Sequence, residues 1–224
     1  MEIAFALQQL IIPSILVLIA ISAAGVVLIR YEELGTFRPY QSLLPILAVI
    51  GLSAFALFQP FSIWLHGYII ASSITLYFIL AHSAKHAYPT WNTAATLVVL
   101  FSIFGAILGS RFHLYIPIPI ILPIMFASVT LMAVQGLIRR LPSAAESWQL
   151  ASIIGFVITQ TTWVLQFLPI HFYVQSGVLL TFYYALFGIV ATVYERGLTR
   201  KSVFEYLGYS GLAFIALLVS ARWQ

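Results

Sequence analysis

Between Ser42 and Ala84 the chain carries no Asp, Glu, Lys or Arg, and the same holds from Ser147 to Tyr194. As a single helix the first run would reach ~65 Å at ~1.5 Å per residue, about twice the ~30 Å of bilayer hydrocarbon. Each run must therefore fold back on itself. Gln59-Pro60 and Leu168-Pro169 are the expected corners. Proline lacks the N–H that a helix interior needs, but it fits a turn or the first turn of a new helix.

With 62% hydrophobic and only 7% charged residues, the chain could not solvate the surface of a soluble domain of this size. The ~10-residue alternation of an outer-membrane barrel is absent. The fold expected is an all-α integral membrane protein with eight transmembrane helices and no soluble domain. Span one runs about Ile3 to Ile29, span two Leu43 to Phe58, span three Phe61 to Ala81 and span four Trp91 to Gly109. Span five covers about Leu114 to Ile138, span six Trp148 to Leu168, span seven Ile170 to Tyr194 and span eight Val203 to Ala221. The N-terminus, MEIAFALQQL, has no basic leader region, so the first span is expected to stay in the mature protein.

Two segments resemble each other. Ile11 to Arg30 reads IIPSILVLIAISAAGVVLIR, and Ile121 to Arg140 reads ILPIMFASVTLMAVQGLIRR. Pro13 falls on Pro123, Ala23 on Ala133 and Arg30 on Arg140; the Pro60 and Pro169 corners match within one residue of that offset. Arg111 closes the first half as Arg222 closes the second. The expected plan is two tandem parallel four-helix repeats, 1–112 and 113–224, related by an axis along the membrane normal.

The loops after spans one, three, five and seven hold Arg30, Arg38, Lys85, Arg139, Arg140, Arg196, Arg200 and Lys201. The other side holds Arg111 and Arg222. Eight against two is a strong positive-inside bias, which puts both termini on the non-cytoplasmic side. A prokaryotic cytoplasmic (inner) membrane is the expected location. The net charge of +4 sits at helix ends and is no nucleic-acid signature.

Cysteine and aspartate are both absent, which excludes disulfides and thiolate metal sites. Glu146 and Glu205 each stand three residues after a serine, just ahead of an apolar run, as in a capping box. Glu2, Glu32, Glu33 and Glu195 fall at a terminus or in loops. No carboxylate is left near the bilayer centre, which speaks against a proton pump, a sodium-coupled carrier and a carboxylate-bridged metal centre. His82 and His86 lie four apart, but Lys85 stands beside them and no third ligand is near, so they read as an interfacial basic cluster. The phosphate-loop, zinc-protease and serine-elbow motifs are all missing. Neither a metal nor a cofactor is expected.

The non-cytoplasmic side gathers Gln8, Gln9, Gln59, His66, Arg111, His113, Gln166, His171 and Gln175. His66 and His171 have no counterpart in the other repeat, and polar residues that break an internal symmetry are the better candidates. Thr159-Gln160-Thr161-Thr162 is polar for the middle of a span and should face protein or a wet cavity, because lipid cannot satisfy it. Gly105-x-x-x-Gly109 permits close helix contact. His66, Arg111, Gln160 and His171 are therefore expected to line one cavity running from mouth to midplane. The function this favours is a small carrier or channel-like protein for a neutral or lipid-like solute. A membrane-embedded assembly protein comes second and a lipid-modifying enzyme third. The bilayer is the expected partner.

Overall fold

The computed structural model describes residues 39–59, 63–84, 89–138, 140–141, 143–197 and 200–220. Among the described residues the chain forms seven α-helices and no strand: α1 (Pro39–Ala56), α2 (Ile63–Ala84), α3 (Pro89–Leu114), α4 (Ile118–Leu137), α5 (Ala144–Leu165), α6 (Phe172–Arg196) and α7 (Arg200–Ser220). They follow expected spans two to eight in order. Span one lies outside the described residues. Among the described residues, four stretches are long and apolar enough to cross a membrane: Thr93–Leu114, Ile118–Leu137, Ala144–Leu165 and Phe172–Tyr194. Leu43–Ala56 and Val203–Leu217 are shorter apolar helices.

The two corners are built alike. After α1, the N–H groups of Leu57, Phe58 and Gln59 donate to the carbonyls of Ala54, Phe55 and Ala56. After α5, those of Gln166, Phe167 and Leu168 donate to Trp163, Val164 and Leu165. Each helix thus tightens into a final i→i−3 turn that satisfies its end carbonyls, and in each case a proline follows. Between α3 and α4 the chain reverses within three residues. Tyr115 there has φ 53°, and Pro117 precedes α4 with φ −68° and ψ 145°. The α6 C-cap is Gly197 at φ 77°, a left-handed position that glycine takes without strain.

Helix α3 runs past its expected end at Gly109, so Arg111 and His113 fall in its last turn. Cations there lie against the carbonyl end of the helix dipole. This helix is the hub, packing against α1, α2, α4 and α6. Leu100, Phe104 and Leu108 of α3 are fully buried with Met125 and Met132 of α4, Ile158 of α5 and Leu179 and Tyr183 of α6. The glycines at 105 and 109 work as expected: a Cβ at Gly105 would overlap the Phe55 ring, and one at Gly109 would stand 3.0 Å from Phe58.

Two local expectations are corrected. Ser143 sits at the α5 N-cap, but its side chain caps no N–H, and Glu146 is exposed. Ser202 lies inside α7, which starts at Arg200, so Ser202 and Glu205 cannot form a capping box. The two halves also pack differently. Helix α1 lies along α3, whereas the corresponding pair α5 and α7 makes no comparable contact; α7 rests on α6.

Candidate functional site

One end of the bundle collects the ends of α1, α3 and α5 and the start of α6. Arg111 Nη1 donates to Oε1 of Gln166, the residue that caps the C-terminus of α5. Tyr173 OH donates to Gln59 Oε1 at 3.2 Å, joining the start of α6 to the end of α1. Gln175, buried in α6, donates through Nε2 to the carbonyls of Leu165 and Ile170 at 3.2 and 3.1 Å. By bridging the carbonyls of Leu165, at the end of α5, and Ile170, just ahead of α6, the buried amide staples the α5–α6 corner.

His171 is the α6 N-cap, and its Nδ1 accepts from the Tyr173 N–H at 3.4 Å. Its ring lies 4.9 Å from Tyr173 and 6.2 Å from Phe112, stacked on both. His113 stacks on Phe58 at 5.6 Å and meets Phe172 edge-on at 5.8 Å. Burial holds the His171 imidazole below its ordinary range, and nearby His113 pushes it the same way. The neutral ring is also the form whose nitrogen can accept at the cap. The result is a rim of amides, imidazoles and one guanidinium.

Of the four residues expected to line one cavity, Arg111 and His171 lie on this rim. His66 falls in the first turn of α2, and its side chain lies outside the described part of the structure. Gln160 is a correction: its side chain is exposed on the outward face of α5, away from the apolar interior. The threonines beside it divide: Thr162 is fully buried and faces protein, as expected, while Thr159 and Thr161 are half-buried. Thr159, Thr161 and Thr162 donate to the carbonyls of Gly155, Val157 and Ile158, each at 2.8 Å, so their own helix satisfies them and no wet cavity is required. Tyr173 belongs to the rim and is not among the expected site residues; nothing in the sequence marks it, because its bond to Gln59 joins residues 114 apart.

Gln160 has an unusual setting. Ile153, Phe156 and Trp163 share its face, Phe167 follows in the turn that ends α5, and all four are exposed. Steps of three, four, three and four residues join Ile153, Phe156, Gln160, Trp163 and Phe167, which is the spacing of a coiled-coil seam. One amide thus lies in the middle of a large apolar strip, with no hydrogen-bond partner among the described residues.

Among the described residues, fold and site define an all-helical architecture with four helices long and apolar enough to cross a membrane, a polar rim at one end and an exposed apolar seam on one side. Residues 1–220 match the model of the family described as protein of unknown function (DUF5656), and the chain belongs to that family. No curated protein and no solved structure matches it.

Proposed function

We propose that this chain is a polytopic membrane protein that works by assembly, docking another transmembrane helix along the outward seam of α5. Exposed Gln160 is the observation that carries this reading. An amide facing hydrocarbon without a partner costs several kcal/mol, and a docked helix removes that penalty. Interhelical hydrogen bonds of this kind contribute about 0.6–2 kcal/mol. The carrier reading ranks below it, because it depended on Gln160 turning inward and the interior at that level is filled by Ile158 and Thr162.

Eight spans with both termini outside the cytoplasm, in a prokaryotic inner membrane, belong to this proposal. Their support is the Lys/Arg distribution. Duplication into 1–112 and 113–224 belongs to it as well, at the level of sequence and corner geometry. The step from Pro60 to Pro169, 109 residues, carries Leu44, Leu47, Gly51, Phe55 and Phe58 onto Ile153, Phe156, Gln160, Val164 and Phe167. In α1 this face is covered: Leu44 is buried, Gly51 meets Ile103, and Phe55 and Phe58 lie on Gly105 and Gly109. The face that α1 packs against a helix of the same chain is the face that α5 leaves open among the described residues.

The test is lipid-phase labelling. The chain has no cysteine, so single-cysteine variants report one position each. Phe156→Cys should be protected from a membrane-soluble thiol reagent, and Ile124→Cys, exposed on α4, should react. Equal reaction at both sites contradicts a docked helix.

A further inference from the structure

We infer that the helix docked on the α5 seam is α5 of a second copy, the two chains being related by a two-fold axis along the membrane normal. This rests on the assembly reading and adds the identity of the partner. Three features of the seam select a copy of the same chain.

The first is depth. A two-fold axis along the normal keeps equivalent residues at one level, so Gln160 of one chain meets Gln160 of the other. An amide offers both a donor and an acceptor, so two of them satisfy each other reciprocally. A foreign helix would need its own polar group at that level.

The second is spacing. The seam repeats in threes and fours from Ile153 to Phe167, and Gln149, also exposed, continues it by one step. Parallel helices that cross at about +20° bury such a seam along their length. A single polar residue at an inward position of such a seam fixes register and partner number. Gln160 is placed to do so, with two large apolar residues on either side.

The third is charge. From Gln149 to Phe167 the seam carries no ionic group, so nothing on it repels its own copy. Glu146 is the next seam position; it is exposed in the first turn of α5, where water and salt screen a like pair. Helix α7 of the same chain is engaged elsewhere, on α6. Tyr206 lies over Gly188 and Leu217 over Gly177.

The experiment is oxidative cross-linking of the full chain in lipid vesicles at low protein density, one cysteine at a time. Ile153→Cys, Phe156→Cys, Gln160→Cys and Trp163→Cys should each give a covalent dimer. Ile124→Cys and buried Ile158→Cys should give none. In the Phe156→Cys background, adding Gln160→Leu should weaken dimerisation roughly three- to thirty-fold, while Gln160→Asn keeps most of it. Two failures can be told apart. If the seam cysteines stay monomeric but remain protected from the lipid-phase reagent, another segment covers the seam: the second copy is wrong and assembly stands. If they stay monomeric and react freely, both ideas are overturned.

Discussion

Arg111, in the last turn of α3, donates to the side-chain oxygen of Gln166, the residue that ends α5. The bond joins two helices that share little other contact, at the end of the bundle where α1 and α6 also meet. The guanidinium is half-buried, and among the described residues no carboxylate lies at that end. A neutral acceptor holds it without cancelling its charge.

Hydrogen bonds to charged groups contribute about 1.5–3 kcal/mol, with partial exposure favouring the low end. Gln166→Leu should therefore lower stability by about 1–2 kcal/mol. It should also free Arg111, which then reacts faster with a guanidine-specific reagent. Thermal loss of helical circular dichroism in detergent measures the first effect and mass spectrometry the second. Unchanged reactivity at Arg111 would contradict the bond.

Glycine substitutions should separate packed from open positions. Gly105→Val forces the Phe55 ring from its place between Tyr68, Phe101 and Tyr173, and overpacking of this kind costs about 1–3 kcal/mol. Gly208, in α7, has nothing within 4 Å of a would-be Cβ. Gly208→Ala should be neutral or stabilising by up to about 1 kcal/mol through helix propensity. Thermal melts of the two variants in one detergent provide the comparison.

The two corners are legible in the sequence, as are the order and approximate ends of the seven described helices. Uncharged runs too long for one crossing leave few alternatives. The direction each helix face takes was not legible. In water the apolar side of a helix must turn inward, but in lipid both sides are apolar, so periodicity no longer separates interior from exterior. From the sequence alone Gln160 turns inward, because an amide avoids hydrocarbon. It can avoid it equally well against another chain, and one sequence does not distinguish the two. The Thr159–Thr162 patch calls for no wet cavity for a related reason: Thr162 faces protein, and each hydroxyl is satisfied by the carbonyl four residues earlier. The rim was legible in part: Arg111 and His171 could be placed by depth, whereas the pairing with Gln166 needed coordinates.

His171 makes the rim sensitive to acid. Its folded-state pKa lies below the ordinary value of ~6.5, chiefly through burial and further through His113. The unfolded chain therefore takes up the proton first. The stability tied to neutral His171 is present above pH ~6.5 and is lost as pH falls through the lowered folded value. His171→Asn keeps a capping side chain but cannot titrate. Melting temperatures between pH 8 and pH 4.5 should fall more steeply for the natural chain than for this variant. Parallel curves would show that His171 carries none of the dependence.

Topology gives a further expectation. With eight spans and the Lys/Arg distribution as it stands, a reporter active only in the cytoplasm should be silent when fused after Gln224. The same reporter inserted between Arg139 and Arg140 should be active. A strong signal at Gln224 would remove either the span count or the orientation.

Pairing through the α5 seam is tested most directly by energy transfer between copies labelled at an Ile124→Cys site, exposed on α4 and off the seam, followed as vesicle lipid dilutes the protein. The natural residue at 160 should hold pairs together to a density roughly three- to thirty-fold lower than Gln160→Leu does. Identical dilution curves, or no transfer at any density, would contradict the account.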